Sequence, residues 1–461
     1  MDTLLTTLGT CLYLPFIIQF FRMSWSKDAW PRQILLLALF LQWTTIMHIP
    51  SVMYITFGIL AVAFIIYIAF SDPSSVIRAL PRNSSLIITL LYITCFTISL
   101  SWSVVPLKGV LAILSTGGPL LIFTLIGTSL HTTSEERVRM LRAACSVAYI
   151  FIAMTLLSWL LSCAQLHIYP WQWPVLTKMK IEYLDTFHYI FRWLGGLHGY
   201  THPSYNLLPL FAITCLAIDL RRMNAIKPYA WWLLWAAGAL ITLLAQSRMG
   251  LLFVGIELVA YLILIQPTLR RRIIASIATA AIAATAIGCT LPFWQQYGAD
   301  PIRDELTAKT LRYIQAKPWT GAGAGALNPV EICHTIGDNS WPRVGTITPD
   351  MRVEDWKPKT RMLPHNQWLA DCAHAGIIAG LLCLALYLFL TLQAFRTHQW
   401  AALTFILIFI IFSFLEPPLY IGKGLYLFAL LTAYLTAVQN ASQPCARRGS
   451  SSPLRPTSIV P

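Results

Sequence analysis

The sequence predicts an all-α fold: a polytopic bundle of about 12–13 transmembrane helices, with a large outward-facing loop region between the tenth and eleventh spans. Three observations carry this. Hydrophobic residues make up 57% of the chain and charged residues 11%, where soluble domains carry about 25% charged residues. Mean hydropathy is +0.63. Apolar windows close to the ~20 residues that a bilayer core demands recur along the whole chain. Spans of that length take up more than half of the 461 residues and leave no room for a separate soluble domain of ordinary size.

The windows fall at roughly 3–21, 34–48, 51–70, 84–102, 107–128, 140–166, 205–220, 229–245, 249–266, 273–294, 370–395, 401–416 and 424–439. The first lacks the basic flank and small-residue cleavage site of a removable signal peptide, and reads as a retained span. The second is short, and reads either as a span or as a re-entrant segment. Residues 1–439 are thus expected to form one bundle, and 440–461, rich in Ser, Pro and Arg, a disordered cytoplasmic tail.

Charge sets the expected orientation. The net charge of +14 invites a nucleic-acid reading, but the basic residues are scattered over short inter-span loops instead of gathered on one face. Arg22, Lys27, Arg32, Arg78, Arg82, Arg137, Arg139, Arg142, Arg221, Arg222, Lys227, Arg270, Arg271, Arg272, Arg396, Arg447, Arg448 and Arg455 share one side. The opposite short loops hold Lys108, Arg248 and Lys423. The positive-inside rule makes the first side cytoplasmic. Two long loops, about 167–204 and 295–369, then face outward and carry most of the outer polar residues. The ten cysteines show no paired spacing and no zinc pattern, so they read as small apolar packing groups.

Four segments at the outer side carry candidate chemistry. Arg192 to Asn206 combines glycines that permit close backbone approach, aromatic residues suited to a sugar face, His202, and an arginine suited to phosphate; its alternative is an interfacial loop anchored by Trp and Tyr. Ser247-Arg248-Met249-Gly250 places an arginine in a very short turn, where it meets either a bound anion or lipid phosphate. Arg303 precedes Pro318-Trp319-Thr320-Gly321-Ala322-Gly323, a run that is a bend or a set of amides facing an oxyanion. His365-Asn366 stands just before a late span; His365 is a general base or a structural hydrogen-bonder, and Asn366 a helix cap. Glu257, in mid-span, is either functional or hydrogen-bonded within the bundle. No Asp-x-Asp, HExxH or P-loop occurs, so no metal, nucleotide or other cofactor is expected.

These four segments, in this order and on one side of the membrane, resemble the O-antigen ligase family, which also holds O-antigen polymerases and protein O-oligosaccharyltransferases. The similarity spans roughly 190–390, and it departs from the family pattern at Ser204 and Thr307. It implies a glycosyltransferase of the bacterial inner membrane whose active site faces the periplasm. The donor would be an undecaprenyl-diphosphate-linked glycan, and the acceptor lipid A–core for a ligase. His365, Arg248 and Arg303 would be catalytic, with Arg192, His202, Gly321, Gly323 and Asn366 contacting substrate. A lipid-glycan flippase or secondary transporter is the alternative of another class; it calls for ionisable residues spread along a path through several spans.

Overall fold

The computed structural model of the chain describes residues 30–48, 52–70, 84–103, 105–130, 133–165, 169, 203–244, 247–268, 270–278, 281, 301–325 and 365–442. The expected first span at 3–21, most of the window 273–294, Arg192, His202, residues 326–364 and the tail from 443 lie outside the described residues. Within them the chain is helical and contains no strand.

The helices are α1 Trp30–His48, α2 Met53–Phe70, α3 Ser84–Ser99, α4 Pro106–Ser129, α5 Ser134–Gln165, α6 Pro203–Arg222, α7 Pro228–Leu244, α8 Arg248–Leu264, α9 Pro301–Ala316, α10 Gln367–Ala375, α11 Ile377–Arg396, α12 Trp400–Leu415 and α13 Gly422–Ser442. Four of them open on a proline, whose fixed φ suits a first helical turn and whose missing N–H is not needed there. Glu135 and Glu136 sit in the first turn of α5, and Arg221 and Arg222 in the last turn of α6, each placed to suit the helix dipole.

Two windows differ from the sequence reading. The short second window is part of a 19-residue helix, α1, because Trp30 to Gln33 extend it at the N-terminal side. The window 370–395 is not one helix. Gly376, at φ 83°, breaks it into α10 and α11, and only α11 is long enough to cross a membrane.

Helix α6 lies at the centre, packed against α5, α7, α8, α12 and α13. Leu207, Leu208, Leu210, Cys215, Ala217, Ile218 and Leu220 are all without solvent exposure, as expected of a helix that is apolar on every side. The outer helices invert this pattern. Ile55, Ile59, Val62 and Ile65 of α2, and Leu381, Leu384, Leu388 and Leu392 of α11, form exposed apolar stripes. Such stripes are costly in water and suited to lipid. Between α1 and α2, Thr56 donates to Gln42 Oε1 at 2.9 Å and lies 2.8 Å from Thr45 Oγ1, so these buried polar groups are satisfied across the two helices.

The most extensive helix pairing is α4 with α13. It depends on close backbone approach at Gly127, where an added Cβ would stand 2.5 Å from the Ala433 carbonyl oxygen. Gly127→Val is therefore expected to lower stability by about 1–3 kcal/mol or more through overpacking. Thermal unfolding of the detergent-solubilised protein checks this; an unchanged midpoint would show that α4 and α13 separate freely.

Candidate active site

Helix register shows which motif segments share an end of the bundle. Phe211 of α6 packs edge-on against Phe253 of α8, with ring centroids 5.5 Å apart, and Cys215 Sγ donates to Glu257 Oε1 at 3.9 Å. Both pairs have the same sequence offset, so α6 and α8 run parallel. Arg248 then stands level with the first turn of α6, directly after the segment that carries Arg192 and His202. Phe253 also meets Phe412 of α12 at 6.0 Å. At the far end of the bundle, Tyr434 donates to Gln399 at 3.1 Å and Gln393 to Gln439 at 2.7 Å. These bonds gather the ends of α11 and α13 with the start of α12. The near end therefore holds the starts of α6, α8 and α11 and the C-terminus of α12.

His365 and Asn366 lie at this near end, clamped to the C-terminus of α12. His365 Nδ1 is 3.0 Å from Glu416 Oε2. Glu416 is 5% exposed, whereas the His365 side chain keeps 27% of its surface open. A carboxylate at Nδ1 favours the tautomer with the proton on that nitrogen, which makes Nε2 the accepting atom. The Asn366 side chain caps α10 by accepting from Leu369 N at 3.0 Å, while its Nδ2 donates to Phe414 O at 3.2 Å.

The clamp continues along one face of α10, where positions 367, 371 and 374 line up by helical spacing. Gln367 Oε1 accepts from Leu419 N at 2.9 Å, and Gln367 Nε2 donates to Asp371 Oδ1 at 3.0 Å. Tyr420 OH donates to the same oxygen at 2.7 Å and Tyr92 OH at 3.2 Å, and His374 Nδ1 lies 2.7 Å from Tyr420 OH. Burial pushes the Asp371 carboxyl up to about 6, against the hydrogen bonds from Tyr420, Gln367 and Tyr92 that favour its charged form. Helix α10 is thus bonded side chain by side chain to residues 414–420.

The glycine stretch after α9 is a strap. Gly321, Gly323 and Gly325 all have positive φ, at 60°, 88° and 89°. A Cβ at Gly323 would lie 2.3 Å from Ser103 Cα. Ala322 N donates to Ala373 O and Gly323 N to His374 O, both at 2.8 Å, and Gly321 N donates to Lys317 O at 3.2 Å. On the other side, Trp102 Nε1 donates to Thr320 O and Ser103 Oγ to Ala324 O, both at 2.7 Å. The amides of Gly321 and Gly323, expected to face substrate, are instead committed to carbonyls within the protein. That geometry is a bend joining the α3–α4 corner to the α10–α11 corner. Tyr313 of α9, without exposure, packs with Ile314, Ala322 and Ala373 beneath it.

The Ser-Arg-Met-Gly segment has a local structural cause. Ser247 caps α8 by accepting from Gly250 N at 3.0 Å, and a Cβ at Gly250 would stand 2.6 Å from Thr242 Cγ2 of α7. The serine and glycine close the hairpin and make Arg248 the first residue of α8. Arg303 is the third residue of α9. The side chains of Arg248 and Arg303, like Arg192 and His202 as a whole, lie outside the described residues. Glu257 is 2% exposed, deep in the bundle, and bonded to Cys215.

Glu416, Asp371 and Tyr420 escaped the sequence reading. The signal for Glu416 was an acid followed by Pro417-Pro418 between two apolar windows, with nothing to indicate a partner 51 positions earlier.

Residues 232–385, about a third of the chain, match a family model described as O-antigen ligase. The matched stretch contains Arg248, Arg303, the strap and His365-Asn366, and stops before Glu416. No curated protein matches the chain.

Asn366→Ala is expected to cost about 1 kcal/mol through loss of the α10 cap. Asn366→Asp should regain much of that, because it keeps the accepting oxygen. Unfolding midpoints of the two variants in detergent test this; equal losses would assign the role of Asn366 to its bond with Phe414 alone.

Proposed function

We propose, from the premise that residues 232–385 make this chain a member of the O-antigen ligase family, that it is a ligase. In this reading it transfers a polysaccharide from undecaprenyl diphosphate to a hydroxyl of lipid A–core at the periplasmic face of the bacterial inner membrane. The observation that carries the reading is the His365–Glu416 pair, partly open at the end of the bundle where the motif-bearing helices begin.

The chemistry follows from that pair. His365 Nε2 takes the proton of the acceptor hydroxyl as its oxygen attacks the anomeric carbon of the donor sugar. The bond from that carbon to the phosphate oxygen breaks, and the diphosphate leaves on its lipid. Glu416 holds the imidazole in orientation and stabilises the imidazolium that forms, the role a carboxylate plays behind any histidine base. Arg248 and Arg303 bind the leaving diphosphate and offset its developing charge, and Arg192 and His202 complete the donor site. In-line attack inverts the anomeric centre. The donor is already activated, so the reaction needs no nucleotide outside the cytoplasm, and the reading assigns no step to a metal ion. Residues 1–439 act as one catalytic unit, with the loops 167–204 and 295–369 around the site and no role for 440–461.

Activity should fall about 10²–10⁴-fold in His365→Ala, the usual share of a general base, with the protein still at normal membrane level. Glu416→Gln should lower kcat with little change in KM for the donor. Glycan transfer by purified protein in detergent measures both, and unimpaired turnover in either variant would remove that residue from the mechanism. In a deletion strain, gel analysis of lipopolysaccharide should show uncapped core with polymer held on the carrier. Core bearing a single repeat would instead mean a polymerase, and unchanged lipopolysaccharide would point to a protein acceptor.

Arg248→Lys tests the phosphate assignment separately. A point charge does not reproduce a bidentate fork, so near-normal transfer by this variant would leave Arg248 as an anchor of the α7–α8 turn.

A further inference from the structure

At the end of the bundle opposite His365, an apolar cavity of about 140 Å³ lies among α1, α4, α5, α6, α12 and α13. At 10–15 Å³ per water-sized site this holds on the order of ten such bodies, and a cavity lined in this way favours apolar occupants over water. Its wall on α13 runs from Leu427 to Ala437. Ten residues at 1.5 Å each give a depth of about 15 Å, half of a bilayer core of about 30 Å. The cavity is therefore one leaflet deep.

Its basic end is marked by Arg137, which lines the cavity together with Tyr434. The Arg137 Nε is buried and has no hydrogen-bond partner among the described residues. The carboxylates in this region are held by other guanidinium groups. Glu136 pairs with Arg32 at 2.8 Å, Glu135 with Arg139, and Asp219 with Arg222 at 3.1 Å. Asp219 also stands within electrostatic reach of Arg137; its Oδ1 is bonded to Arg222, while its Oδ2 is buried without a hydrogen-bond partner among the described residues and makes no bond to Arg137. Arg142 and Arg221 add positive charge nearby and bond to Ala225 O and Asn224 Oδ1.

We propose that this cavity is a binding site for an anionic phospholipid of the leaflet at the basic end: one acyl chain fills the apolar shaft and the phosphate meets Arg137. The shaft has the depth of one leaflet, and the cation sits where a headgroup would lie. Basic pockets between spans recognise anionic headgroups on these terms. The site is separate from the proposed transfer chemistry and does not depend on it.

Native mass spectrometry of the delipidated full chain, titrated with dioleoyl phosphatidylglycerol or with phosphatidylcholine of the same chains, tests the proposal. The wild type should retain one phosphatidylglycerol, with about a fivefold or greater preference over phosphatidylcholine, the equivalent of ~1 kcal/mol for one guanidinium. Arg137→Gln should abolish the preference, while Arg142→Gln, outside the cavity lining, should keep it. Ala144→Phe should exclude both lipids by filling the shaft; if that variant does not fold, the two arginine variants decide alone. Failure of the wild type to retain lipid would overturn the proposal. A preference that survives Arg137→Gln would overturn it equally.

Discussion

The near end of this molecule depends on one attachment: the side chains of His365, Asn366, Gln367, Asp371 and His374 bonded to residues 414–420. Helix α10 has nine residues, too few to hold itself in place by its own hydrogen bonds. It is fixed because its polar face meets a segment whose turn leaves backbone and carboxylate groups to be satisfied. Each bond is worth about 1 kcal/mol net, but they share partners, so losing one loosens the others. The proposed base owes its orientation to the same attachment that stabilises the helix.

Much of this was legible in the sequence because membrane helices are written in a coarse code. Apolar runs of sufficient length marked α4, α6 and α7 without reference to tertiary contacts, whereas α9, a polar helix in the stretch read as an outer loop, left no such mark. The break at Gly376 was not legible. A hydropathy window averages over a single glycine, and the left-handed backbone there is set by Trp319, whose carbonyl leaves no room for a side chain. The same limit applies to the candidate site. His365 stood out because of its place before a span, but its carboxylate partner is defined only once α10 and α12 are brought together. The glycines of the strap could be read as a bend or as a ligand contact, and only their bonding partners separate the two.

Glu257 accepts a thiol hydrogen bond in the interior, while the ion pairs of Arg32, Arg139 and Arg222 gather at one end and His365–Glu416 stands at the other. The described core between them is filled by Phe211, Phe253, Phe409 and Phe412, each almost without exposure.

The strap also bears on how such a protein diversifies. Backbone bonds from Ala322 and Gly323 to Ala373 and His374 fasten both flanks of the chain from 326 to 364 to a single rigid corner. Lengthening a segment whose ends are already anchored costs only ~0.6 kcal/mol for each doubling. New sequence can therefore be admitted between these anchors while His365 and Glu416 stay in place.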